Sequence, residues 1–170
     1  MSVPCLSTIG INTASLTPEA VKRKTCLKMI RKFNDEDADA VVSTWRAASE
    51  LAHPFLTREF LDREADAVRN VYLVYAETWV TEVDGEVVGF IALVDDEIGG
   101  LFLHPRLHGQ GFGKAMVDEA VAEKGPLRVE VFEKNEIGRR FYDTYGFSRS
   151  GEFVHEPTGE CVIRMAFTPQ

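Results

Sequence analysis

The eight residues His108-Gly109-Gln110-Gly111-Phe112-Gly113-Lys114-Ala115 place glycine at alternate positions just before a run with helical spacing. A glycine costs roughly 0.5–1 kcal/mol relative to alanine in regular structure, so three in one turn imply close approach of something to the main chain. A glycine turn leading into a helix start is an anion site, because the free N–H groups of the first turn and the positive end of the helix dipole converge there. A phosphate or diphosphate is the matching ligand. The spacing is not that of the P-loop, whose first glycine would fall on His108 and whose hydroxyl position would be Ala115. Nor is it the dinucleotide fingerprint, whose third glycine would fall on Lys114. What remains is a loop with every second side chain removed, in which successive amides can wrap a diphosphate. His104 and His108 stand four apart, but Pro105 lies between them and no carboxylate or Cys partner is near, so no metal site is expected.

Regular elements must position this loop. Met29 opens a short strand that runs into Asn34 or Asp35 as helix cap, an acidic first turn, and Ala38, Val41, Val42 and Trp45 at helical spacing. "HPFL" (53–56) breaks that helix, and Thr57 caps a second with Phe60, Leu61, Val68 and Tyr72 on its apolar side. "TWVTEVDGEVVGFIALVDD" reads as a hairpin turning at Asp84-Gly85, and "EIGGLFLHP" as a further strand. A helix from Phe112 stops near Gly125-Pro126, and "LRVEVF" (127–132) alternates as a strand. Asn135 caps a last helix closed by Gly146, and two strands surround a turn at Pro157 to Gly159. The order β, α, α, β, β, β, α, β, α, β, β predicts a mixed α/β domain with a central sheet.

Composition narrows the function. A chain of 170 residues, 45% hydrophobic, suits one domain with a proper core. The expected division is a flexible extension over 1–26, Ser/Thr-rich and ending in "KRK" (22–24), and a single domain over 27–170, with Met29 as a natural start. Residues 1–28 carry net +3 and the rest −11, within a total of −8. That balance argues against nucleic acid as partner and suits a cationic ligand. Three dispersed cysteines suggest neither a disulfide framework nor zinc, and no signal peptide or membrane span is read, so a cytoplasmic protein is expected.

The segment "LFLHPRLHGQGFGKAMVDEA" resembles the acetyl-CoA-binding motif R/Q-x-x-G-x-G/A of the GNAT superfamily of N-acetyltransferases, and "NEIGRRFYDTYGF" (135–147) resembles its later N-x-x-A-x-x-x-Y-x-x-x-GF block. Separated by one helix and one strand, the two blocks are more specific together than either alone. "AHPFL", "TEVDGEVVGF" and "VEVFEKNEIGRRFY" look like small bacterial protein-lysine or amine acetyltransferases. The resemblance implies the GNAT fold: a mostly antiparallel twisted sheet of six to seven strands, about four helices, and a splayed strand at the acetyl-CoA cleft. It assigns the diphosphate to Gly109, Gln110, Gly111, Phe112, Gly113 and Lys114. It assigns the pantetheine amides to the main chain of Leu101, Phe102 and Leu103, with the Leu103 N–H polarising the thioester carbonyl. His108 departs from the family's Arg or Gln, which weakens a phosphate contact without abolishing it. Asn135 caps its helix and contacts the cofactor near the pantetheine arm. Tyr142 aligns with the general acid that protonates the departing CoA thiolate, and Glu130 with a base in some members. Glu82 and Glu86 are weaker candidates for the base. The loop His53 to Leu56, with Trp45 and Trp79, is expected to shape acceptor choice.

The implied activity is direct transfer of acetyl from acetyl-CoA to a primary amine in a ternary complex, with a protein or peptide lysine as the first acceptor class. A small polyamine or aminoglycoside-like cation is the alternative acceptor, and a non-catalytic acyl-CoA sensor the alternative function. The implied partners are acetyl-CoA and the amine, with no metal, nucleic acid or membrane, in a monomer or homodimer.

Overall fold

Strand β1 (Lys28–Lys32) opens the described part of the computed structural model, residues 28–170. The expected extension over 1–26 lies outside the described residues. Past β1, the Asn34 side chain accepts the Glu36 N–H at 2.9 Å and the Asp37 carboxylate accepts the Asn34 N–H at 3.0 Å, a capping box that turns the chain into α1 (Ala38–Ala52). Asp37 is buried, and the Arg31 guanidinium grips it at 2.7 and 2.9 Å while also donating to Glu82 at 3.0 Å. This paired charge, with Asp37 held below the usual carboxylate range by the Arg31 hydrogen bonds, ties β1 to Glu82 and to the start of α1.

Thr57 accepts the Phe60 N–H at 3.2 Å and starts α2 (Arg58–Ala67), which continues through a π-helical turn (Val68–Tyr72) into the short α3 (Leu73–Tyr75). The hairpin β2 (Glu77–Val83) and β3 (Glu86–Val94) turns at Asp84 and Gly85 with φ of 51° and 87°, the primed geometry that Asp-Gly favours. Next come β4 (Glu97–Leu103), α4 (Phe112–Lys124), β5 (Leu127–Phe132), α5 (Glu136–Tyr145), β6 (Ser148–His155) and β7 (Glu160–Phe167).

The seven strands form one sheet in the order β1-β2-β3-β4-β5-β7-β6, antiparallel throughout except for β4 and β5. Each face carries its own core. Trp79, Ile91, Leu93, Met116, Val129 and Tyr142 belong to the cluster that takes in α4 and α5. On the opposite face, Val41, Trp45, Leu61, Val68, Val80 and Phe90 pack with α1 and α2. The mixed α/β class, the sheet and the element order agree with those expected.

Candidate active site

β4 and β5 are joined by only two parallel rungs, Glu97 to Arg128 and Ile98 to Val129. Beyond Ile98 the strands part. The cause lies in β4, where Gly99 has no partner in the register: Leu93 pairs with Ile98 and Ala92 with Gly100, so one extra residue bulges out of the ladder with β3. His104 N–H donates to Val88 O at 2.8 Å. In an antiparallel ladder bonding alternates, so the N–H and C=O groups of Leu101 and Leu103 turn away from β3, toward the side where β5 has departed. The Phe102 side chain instead stacks on Phe90 at 5.3 Å and meets Trp45 at 6.3 Å, on the α1/α2 face.

At the end of β4 the glycine loop closes onto α4. Gly109 and Gly111 have φ of +74° and +84°, a region costing other residues about 1–2 kcal/mol. Gly111 caps α4 with no side chain, and the first intrahelical bond runs from Ala115 N–H to Gly111 O at 3.0 Å. The N–H groups of Phe112, Gly113 and Lys114 are therefore left for an outside acceptor, in a left-handed to helical turn that forms an anion-binding concavity. Gly113 lies against the Phe141 ring of α5, where an added Cβ would come within 3.1 Å. The Phe112 side chain is buried, so only its backbone faces the loop.

Three polar side chains at this loop turn away from the helix start. Gln110 donates to Arg106 O at 3.2 Å, and the Lys114 ammonium is held by Asp118 at 2.7 Å and lies 5.6 Å from the centre of the Tyr145 ring. His108 Nε2 donates to Leu103 O at 3.1 Å, so it contacts the splayed strand instead of the amides of α4. What the loop presents at the start of α4 is therefore backbone amides.

Behind the parted strands lies a cavity of about 470 Å³. Its lining draws on both cores, with Trp45, Leu61 and Phe90 from one face and Leu101, Val129 and Tyr142 from the other, so the gap connects the two faces of the sheet. Tyr142 is 6% exposed and lines this cavity. Burial pushes its pKa well above the ordinary phenol value, which keeps the proton on the oxygen across the physiological range.

Asn135, at the foot of α5, is fixed on both sides. Its Oδ1 accepts the Gly138 N–H at 2.8 Å, so its amide N–H donates to His53 Nε2 at 3.1 Å. His53 therefore carries its proton on Nδ1. Phe55 and Phe132 meet its ring edge-on at 5.7 and 5.6 Å, and burial pulls its pKa down to about 4. The ring is neutral near pH 7 with its lone pair already used, which disqualifies it as a base.

Glu130 also lines the cavity, half-exposed, and its carboxylate accepts from Arg164 Nε at 3.0 Å. Glu82 and Glu86 are instead tied to Arg31 and Arg106 and do not line it. The expectation for Trp79 is overturned. Its ring is buried in the α4/α5 core, with the Lys32 ammonium 3.4 Å from its centre, because its place in β2 turns it away from α1. Trp45 and His53 do line the cavity. Sequence reasoning missed Glu64, Tyr72 and His155. Phe60, Glu64, Val68 and Tyr72 recur every four residues along α2 and the π turn, so an acid standing on the apolar stripe was the available signal.

A sheet prised open between two parallel strands, with a bare helix N-terminus at one end of the gap and a buried phenol lining the cavity, is the arrangement of a site for a long ligand with an anionic end. A model of the acetyltransferase (GNAT) domain matches residues 75–149. The peptidyl-lysine N-acetyltransferase YjaB of Salmonella typhimurium is 31% identical over 132 residues, 77% of this chain and 90% of that protein. Peptidyl-lysine N-acetyltransferase YiaC of Escherichia coli is 29% identical over 120 residues, 70% and 82% of the two chains. The solution structure of apo YjaB from Escherichia coli superposes with a TM-score of 0.75 at 28% identity, covering 82% of this chain and 97% of that one. The PaiA N-acetyltransferase of Thermoplasma acidophilum, crystallised with coenzyme A, shares the fold at 17% identity, with a TM-score of 0.70 and coverage of 83% and 99%. The chain belongs to the GNAT acetyltransferase family. It is an N-acetyltransferase whose acyl donor is acetyl-CoA. Among the described residues no helix is long and apolar enough to cross a membrane.

Proposed function

We propose that this enzyme transfers the acetyl group of acetyl-CoA to the side-chain amine of lysine in a protein or peptide, directly and without a covalent acyl-enzyme. Two relatives whose names carry that acceptor support the reading. The observation that carries it is the cavity at the parted strands, which joins Tyr142 on one face of the sheet to an acidic, aromatic-lined space on the other. A long, flexible amine can enter on the α1/α2 side and meet a thioester laid along β4.

Each residue then has a part. Bound acetyl-CoA supplies an electrophilic thioester carbonyl and a thiolate leaving group. The amides of Phe112, Gly113 and Lys114 take the diphosphate, and the outward N–H and C=O groups of Leu101 pair with the pantetheine arm. The Leu103 N–H faces the oxyanion that develops during attack, an interaction that strengthens in the transition state. His108 holds the Leu103 carbonyl from outside, and Asn135 keeps α5 and the His53 loop together at the foot of the gap. Tyr142, protonated at physiological pH, gives its proton to the thiolate, which a buried setting makes more basic. Glu130 stands on the acceptor side as a base acting through water.

Thiol release measured with purified protein against a panel of amines tests the reading. The panel holds a capped lysine peptide, a free amino acid, a polyamine and an aminoglycoside. The lysine peptide is expected to give the highest kcat/KM, and a higher value for a small polycation overturns it.

A further inference from the structure

The acceptor side of the cavity contains a charge that nothing in the described structure neutralises. Among the described residues no Lys or Arg lines the cavity, and the two histidines that do are His53, which is neutral, and His155, whose Nδ1 is 2.8 Å from Thr158 Oγ1. Of its two carboxylates, Glu130 is paired with Arg164 at 3.0 Å. The other, Glu64 of α2, has no cationic partner among the described residues and receives only the Tyr72 hydroxyl, at 3.5 Å. Its neighbours at the cavity surface are the apolar Phe60 and Leu61 of α2 and Val68 of the π turn.

A partly buried carboxylate in an apolar setting costs free energy unless an opposite charge approaches it. A second feature also awaits a ligand. Ser49 Oγ lines the same cavity, its residue only 1% exposed, and makes no hydrogen bond. Tyr72, which donates to Glu64, is 50% exposed, and Val71, Val74 and Tyr75 near it in the chain are exposed as well. Glu64 of α2 therefore stands where the cavity meets solvent, beside Tyr72, the last residue of the π turn.

We propose that Glu64 is the specificity-determining residue of the acceptor site. Its carboxylate pairs with the acceptor's ammonium as the amine enters, Tyr72 holds the carboxylate in place, and the methylenes follow the amine past Phe60 and Val68 as it moves on to the gap. The ligand class is a primary alkyl ammonium on an unbranched apolar stem. The inference rests on the acetyl-transfer reading for its reaction, but the ion pair is a binding event that can be read separately. It assigns no part to Glu64 in holding acetyl-CoA.

The test uses the full chain with a capped peptide carrying one lysine as probe. Glu64→Gln is expected to raise KM for the peptide at least tenfold at low ionic strength, with KM for acetyl-CoA unchanged. Asp66→Asn, an exposed acid on the same helix, leaves the peptide KM within twofold. Added salt is expected to raise the wild-type peptide KM and to move the Glu64→Gln value little. A peptide KM within twofold of wild type in Glu64→Gln, or a matching loss of acetyl-CoA affinity, overturns the proposal. Should the wild-type protein transfer nothing, the proposed function fails while the ion pair remains measurable. Calorimetric titration of the peptide into the coenzyme A complex then decides it, with at least tenfold weaker binding by Glu64→Gln as support and equal binding as refutation.

Discussion

Ile98 and Val129 form the last rung between β4 and β5, and beyond it the N–H and C=O groups of Leu101 and Leu103 lie on an edge of β4 that faces an open gap. The Leu103 N–H lies on that edge, so it has no ladder bond to lose. Leu103→Pro removes this donor while leaving the pairing with β3, as proline is tolerated on a strand edge. The expected result is a fall in kcat of about 10²-fold, the effect of deleting one oxyanion donor, with the far-ultraviolet circular dichroism retained. A variant that folds and keeps wild-type kcat removes the Leu103 N–H from the mechanism.

The glycine loop offers a second test. Gly111 sits at φ +84° with open space around it, so Gly111→Ala meets no clash and suffers only from its backbone conformation. A loss of about 1–2 kcal/mol in stability is expected, together with an increase of several-fold in Kd for acetyl-CoA as the amides of Phe112 and Gly113 are re-aimed. Calorimetric titration measures the second effect. Unchanged affinity in the presence of the stability loss would separate the loop from the donor site.

His53 makes stability depend on pH. Burial lowers its pKa to about 4 from an ordinary 6.5, so between those values the unfolded chain binds a proton that the folded chain refuses. Stability must therefore fall as pH drops from about 6.5 to about 4 and then level off for this group, by about 3 kcal/mol in all. Denaturant unfolding across that range should show the slope, and His53→Gln should flatten it. An identical slope in the variant would mean that His53 is solvated in the native state.

Much of this was legible in the sequence, for physical reasons that differ between parts. Asn34, Thr57, Asp84-Gly85, Asn135 and Gly146 are local devices whose chemistry acts within a few residues, and each sits where its residue type demands. The backbone loop at Gly109 to Lys114 was legible because glycine spacing is itself a backbone signal. Side-chain partners were not. Nothing local tells that Lys114 reaches Asp118, that His108 reaches back to Leu103, or that Arg164 occupies Glu130, since each depends on where a long side chain finds its counter-charge after folding. Trp79 was misplaced because strand alternation gives two faces without saying which helix covers each. Glu64 went unread because an acid on an amphipathic helix is usually solvated, and only the tertiary cavity shows that this one is turned inward.

The most direct measurement of the central claim is thiol release from acetyl-CoA in the presence of a lysine peptide, with mass spectrometry of the peptide, for wild type and Tyr142→Phe. Loss of the phenol proton is expected to lower kcat by about 10²-fold or more while KM for acetyl-CoA stays the same, with acetyl-lysine as the wild-type product. A folded Tyr142→Phe protein with wild-type kcat, or a wild-type protein that binds acetyl-CoA and acetylates no amine, would contradict it.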